Sequence, residues 1–138
     1  MRKWVEMQRE TAIQIALCVY VSLKYPKALY TSDLGGVRLT IKQAIQASKM
    51  RKKKGHPDWT LYEPKGGFVG LMIELKSETA PLYKADGTLR KSQHLEEQAR
   101  YGKDLEERGW CFSFARGLEE AIKIVDCYLK GEAHDRTN

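Results

Sequence analysis

The sequence predicts a small α/β domain, a mixed β-sheet flanked by helices in the order α-α-β-β-α-β-α. Three observations lead there. Two N-terminal segments carry apolar residues at helical spacing, the stretch 55–76 reads as a β-hairpin, and a helical pattern then leads into a final strand and helix. A strand-helix-strand crossover running from Lys76 to Trp110 places the third strand parallel to the second.

From Trp4 to about Leu23 the residues Val5, Ala12, Ile13, Ala16, Leu17, Tyr20 and Val21 fall on one stripe, and Pro26 ends the pattern. Lys27 to Val37 reads as a loop with a short extended piece at Ala28-Leu29-Tyr30. Thr40 is an N-cap for a second helix, Ile41 to about Lys53, with Ile41, Ala44, Ile45, Ala47 and Met50 turned inward.

In the hairpin, Trp59, Leu61 and Glu63 alternate along the first arm, and Pro64-Lys65-Gly66-Gly67 makes the turn. Phe68 to Lys76 returns, with Val69, Leu71, Met72, Ile73 and Leu75 as its apolar centre. Ser77 to Leu89 is polar, with Pro81 and Asp86-Gly87, and reads as an exposed loop or small hairpin. Ser92 caps a third helix with Leu95, Ala99, Gly102 and Leu105 inward and Gly109 as its stop. Trp110 to Arg116 is the last strand; Leu118, Ala121, Ile122, Val125 and Leu129 form the stripe of a last helix, which Gly131 ends before a polar tail at 132–138.

With 138 residues, 42% of them hydrophobic and 30% charged, the chain reads as one globular domain, 1–138. No apolar run approaches the ~20 residues of a membrane span, and the N-terminus lacks a signal-peptide pattern. Cys18, Cys111 and Cys127 are odd in number and show no C-x-x-C spacing, which reads as buried thiols in a reducing compartment. A net charge of +6 points to a polyanionic partner.

The chemistry-bearing residues gather on the hairpin. Asp58 opens its first arm and Glu74 lies near the end of the second, so antiparallel pairing brings the two carboxylates together. Glu74 and Lys76 are two apart and point to one face of the strand. Two adjacent carboxylates repel, and a hard cation such as Mg²⁺ relieves that repulsion while remaining partly hydrated. A lysine beside them suits positioning of an attacking water and neutralisation of an oxyanion, as in metal-assisted phosphodiester hydrolysis. Taken singly, each residue also fits an ordinary surface strand. Arg51, Lys52, Lys53 and Lys54 abut this site and read as contacts to a phosphate backbone, although positive charge suits a helix C-terminus on dipole grounds alone. Arg38 suits either a phosphate contact or a solvent-facing position.

Pro57-Asp58 followed by Glu74-Leu75-Lys76 resembles the PD-(D/E)xK nuclease signature, and Gly55-His56-Pro57-Asp58 with Ile73-Glu74-Leu75-Lys76 is similar to its VRR-NUC branch, the virus-type replication-repair nuclease domain. The resemblance continues in Glu10 and Gln14 with Tyr25-Pro26, in Gly35-Gly36-Val37-Arg38 (which lacks the family's asparagine), and in Gln98, Leu105 and Gly109. It implies a restriction-endonuclease-like sheet and a Mg²⁺- or Mn²⁺-dependent DNA endonuclease. Asp58, Glu74 and the Leu75 carbonyl would hold metal, Lys76 would position water, and Glu10 and Gln98 would complete the catalytic set, with Gln14 in support. Read on residue type alone, Glu10, Gln14 and Gln98 equally fit solvated helix faces.

The resemblance further implies branched or four-way-junction DNA as substrate in replication, repair or recombination, with flap and non-specific cutting as alternatives. A homodimer is expected, with Trp4, Val5 and Met7 or Tyr128 and Leu129 as candidate contacts, core being the alternative and commoner place for each; the expected compartment is the cytoplasm of a bacterial or phage-infected cell. A catalytically silent DNA-binding module and a basic protein-binding scaffold are the rival readings.

Overall fold

The computed structural model describes residues 2–33 and 39–131, with the side chains of 2–8 left aside. Its elements are α1 (Arg2–Lys24), β1 (Tyr30–Ser32), α2 (Ile41–Lys49), β2 (Trp59–Leu61), β3 (Leu71–Lys76), α3 (Gln93–Glu106), β4 (Cys111–Arg116) and α4 (Gly117–Leu129). The sheet is mixed and runs β1-β2-β3-β4. β1 pairs antiparallel with β2, β2 antiparallel with β3, and β3 parallel with β4 through the α3 crossover.

Of the extended piece at Ala28-Leu29-Tyr30 only Tyr30 lies in a strand, β1, which runs on to Ser32. Short strands of this kind leave little periodicity to read; here pairing with β2 and stacking of Tyr30 on Trp59, centroids 5.6 Å apart, fix it.

β3 is buried along its whole length. One face, Leu71, Ile73 and Leu75, packs with Ile13, Leu17 and Val21 of α1 and Ala121, Ile124, Val125 and Tyr128 of α4 to form the core. The other carries Met72, Glu74 and Lys76 towards α3, whose buried residues are Leu95, Gln98, Gly102 and Leu105. A Cβ at Gly102 would stand 2.3 Å from the Phe112 ring, so this glycine lets α3 lie close on β4. α1 and α4 are also joined at Asp126, whose carboxylate accepts from the Tyr20 hydroxyl at 2.9 Å and the Tyr25 hydroxyl at 2.6 Å and faces Lys24 at 3.3 Å.

Several expected positions differ. Ala12 is exposed, because the core side of α1 is centred on Ile13, Leu17 and Val21. Val69 is 49% exposed, since it precedes the strand and its amide bonds to the Gly109 carbonyl. Tyr128 is fully buried, with its hydroxyl donating to the Glu63 carbonyl at 2.5 Å, and Leu129 is half-buried against the core; this excludes Tyr128 as an exposed dimer contact. Trp4, Val5 and Met7 lie outside the residues with described side chains, and Arg38 and the 132–138 tail lie outside the described residues.

The largest correction is α2. It ends at Lys49, and none of its residues is buried: Ile41 is 82% exposed, Ile45 50% and the following Met50 81%. Four successive cations at 51–54 repel one another on a helix and offer nothing apolar to bury, so the chain leaves the helix before them.

Gly55 sits where that basic run turns into the hairpin. Its φ is +101°, and a Cβ there would come 2.7 Å from the Glu97 carbonyl oxygen of α3. Gly55→Ala should therefore cost about 1–3 kcal/mol, through a disfavoured φ and a backbone clash. Urea denaturation measures this.

Candidate active site

The β2–β3 register pairs Trp59 with Ile73; continued by one residue, it sets Asp58 opposite Glu74. Asp58 is fixed by its Oδ2, which accepts from the Leu75 amide at 2.9 Å. Gln14 of α1 ties the backbone behind it, donating to the Asp33 carbonyl at 2.9 Å and the Asp58 carbonyl at 3.0 Å. The Asp33 amide donates to that same Asp58 carbonyl at 2.7 Å. Gln14 thus joins α1, the end of β1 and the start of the hairpin at one point. It braces the backbone that carries Asp58, a contact its spacing to Glu10 does not reveal. Gln14→Ala should keep the far-ultraviolet circular dichroism spectrum and lower any cleavage about tenfold or more, because small displacements of a reacting group are costly.

Glu74 is 4% exposed and Lys76 8%, with Lys76 Nζ 3.8 Å from Glu74 Oε1. The Gln98 amide, 4% exposed, donates to the same Glu74 oxygen, and its Nε2 lies 3.0 Å from His94 Nε2. Burial and then the neighbouring Asp58 push the Glu74 carboxyl well above its ordinary range. Burial also raises Asp58, against the Leu75 amide and Lys76, which lower it. The Asp58 and Glu74 carboxyls also hydrogen-bond to each other, which lowers Asp58 and raises Glu74. Among the described residues Glu74 Oε2 and Gln98 Oε1 are buried with no hydrogen-bond partner.

Such a set fits a hard divalent cation: a repelling carboxylate pair, a buried oxygen without a donor, and a carbonyl at Leu75, whose side chain is committed to the core. Among the described residues no three His, Cys, Asp or Glu side chains cluster as a metal site. Mg²⁺ usually keeps several waters and is held through one or two carboxylates together with substrate phosphates, so it does not require three such side chains.

These residues line a cleft of about 430 Å³ that also includes Glu10, Thr11 and Asp33. Glu10 lies near enough to Glu74 for its charge to raise the Glu74 carboxyl further. Thus Glu10, Asp58, Glu74, Lys76 and Gln98 share one cleft. Two cations of the basic run, Arg51 and Lys54, line it as well, Arg51 lying 3.7 Å from the Asp33 carboxylate. Lys52 and Lys53 instead line a neighbouring cavity of about 320 Å³ with Tyr101, Asp104 and Arg108, where Lys53 is ion-paired to Asp104.

Two histidines also line the cleft, His56 from the Gly55-His56-Pro57-Asp58 segment and His94 from α3. His56 donates from Nδ1 to the Pro57 carbonyl at 2.8 Å and packs edge-on against Tyr101. His94 sits one helical turn before Gln98, and that i, i+4 spacing is the only sign it gives; burial and Lys76 lower its pKa.

No protein-family profile matches the sequence, and no curated protein does. A solved structure described as a VRR_NUC domain protein superposes with a TM-score of 0.63 over 88% of each chain, at 18% identity. This chain has the VRR_NUC fold. Within that VRR_NUC fold, the mixed sheet is what sets Asp58 beside Glu74 and sends Lys76 into the same cleft, with α1 and α3 closing it from two sides.

Proposed function

We propose that this chain is a VRR-NUC-type, Mg²⁺- or Mn²⁺-dependent endonuclease that hydrolyses DNA phosphodiester bonds. The observation that carries it is the cleft in which Asp58, Glu74 and Lys76 converge beside Arg51 and Lys54. The VRR_NUC fold supports the same reading.

Asp58 and Glu74, with the Leu75 carbonyl, hold the cation. When bound, it polarises the phosphoryl oxygen and supplies a more acidic water. Lys76, nearly buried and pinned by Glu74, orients that water and offsets charge developing on the phosphoryl oxygens. Gln98 holds Glu74 in place, and Glu10 adds an acid from α1. Arg51 and Lys54 take the adjacent phosphates of the substrate strand, and Lys52 and Lys53 extend that contact outward.

The described residues show no separate base-reading element, so recognition of backbone shape, at branch points or four-way junctions, suits this protein better than sequence reading. Symmetric cutting of a junction needs two sites related by a two-fold axis, which a homodimer provides. The exposed stripe Ile15, Val19 and Leu23 of α1, beside edge strand β1, is the surface we assign to that contact. We place this activity in the cytoplasm, in replication, repair or recombination; among the described residues no helix is long and apolar enough to cross a membrane.

Labelled linear duplex, flap and four-way-junction DNA, each with Mg²⁺, Mn²⁺ or chelator, test the reading. Metal-dependent cleavage, fastest on the junction, is the expected result. Equal rates on all three support the nuclease and remove the branch preference. Salt-sensitive binding without turnover in either metal identifies a silent binding module instead.

A further inference from the structure

From Leu39 to Lys54 the chain has six cations, Lys42, Lys49, Arg51, Lys52, Lys53 and Lys54, and no Asp or Glu. That equals the net +6 of the entire protein, so the remainder is electrically balanced. The helix within this segment, α2, is nine residues long and buries none of them. Isolated helices shorter than about 12–15 residues are marginal in water, so α2 gains little from its own length.

Its start is nevertheless well made. Thr40 forms a capping box with Gln43: the Gln43 amide donates to the Thr40 hydroxyl at 3.2 Å, and the Thr40 amide to the Gln43 side chain at 2.9 Å. Four apart, Ile41 and Ile45 form a bare apolar ridge, with Lys42 and Lys49 at its flank by helical spacing. A capped helix with an exposed apolar ridge and only positive charge is built to meet an anionic partner that also presents apolar surface. Its C-terminal end runs through Arg51 and Lys54 directly into the catalytic cleft.

We propose that α2 is a wedge for branched DNA: its lysines seat on phosphates while Ile41 and Ile45 pack against the faces of bases unstacked at the branch. Apolar side chains inserted at base steps are a known means of unstacking DNA, and the cations supply the attraction that brings the helix there. Anionic membranes also attract basic amphipathic helices, but continuity with the cleft favours DNA. The inference rests on the nuclease reading and extends it to how a branch is chosen.

The test uses the full chain with Glu74→Gln, which prevents turnover, and a four-way junction carrying 2-aminopurine beside the branch. Binding should raise the fluorescence severalfold. Ile41→Ser with Ile45→Ser should abolish most of that rise and weaken junction affinity about tenfold, whereas Ile41→Met with Ile45→Leu should restore both. Circular dichroism confirms that each variant folds. Equal fluorescence and affinity in the serine variant would overturn the wedge. So would a ridge that sediments with phosphatidylserine vesicles, or drives self-association, while leaving the 2-aminopurine signal flat. The readout needs no cleavage, so a chain that never cuts DNA refutes the nuclease reading separately.

Discussion

Glu74→Ala and Lys76→Ala should each reduce metal-dependent cleavage about 10³-fold or more while the protein stays folded. The magnitude follows from what each group does. With both side chains nearly buried, one preorganised charge at the reacting phosphoryl group contributes about 10²–10³ in rate, and Glu74 serves both the cation and Lys76. The two losses should not add in a double variant, since removing Glu74 already frees the Lys76 ammonium from its partner. Lys76→Arg should not rescue, because a planar guanidinium cannot replace a compact ammonium held at 8% exposure. Single-turnover rates with saturating enzyme check this. Near-normal cleavage by either folded alanine variant would refute the assigned roles.

The second large effect is on stability. In chelator, Glu74→Gln should make the protein more stable at pH 8 by about 1–3 kcal/mol, the usual cost of a buried polar group left unsatisfied, which is several degrees in Tm for a domain of this size. Burial and the adjacent Asp58 raise the Glu74 carboxyl in the folded state, and burial raises Asp58 too. The folded protein therefore holds protons that the unfolded chain gives up at ordinary carboxylate pH. Stability contributed by the pair is present below the unfolded pKa and lost as pH rises through the folded values. The metal-free protein should accordingly lose stability as pH rises above the ordinary carboxylate range, and the glutamine variant should lose less. Added Mg²⁺ should remove most of the difference by stabilising the unsubstituted protein selectively. Thermal melts over that pH range, with and without metal, measure all three effects.

How much of this was legible in the sequence varied with the kind of residue. The hairpin and the parallel crossover were readable because β3 is both strongly apolar and bounded by turn residues on one side and a polar stretch on the other. The Asp58–Glu74 juxtaposition followed from the same pattern, since register is fixed once one face of a hairpin must be buried. α2 was legible as a helix through Thr40 and its spacing, but its apolar residues were assigned to the core. Periodicity reports that a helix has an apolar side and is silent on what covers it. Tyr128 takes the core alternative: its hydroxyl finds a buried carbonyl at Glu63, a partner 65 positions away that no local pattern shows. Gln14 owes its place to bonds with carbonyls 19 and 44 positions away, and His56 packs on Tyr101 from across the chain; neither contact leaves a periodic trace.

Mn²⁺ titration followed by calorimetry, on the unsubstituted protein and on Asp58→Asn with Glu74→Gln, tests the metal centre most directly. The unsubstituted protein should bind Mn²⁺, with an affinity that falls as pH drops into the range where the pair takes up protons. The double variant should show binding too weak to measure under the same conditions while melting cooperatively. Equal Mn²⁺ binding by both proteins, or metal-stimulated cleavage by the folded double variant, would contradict the site.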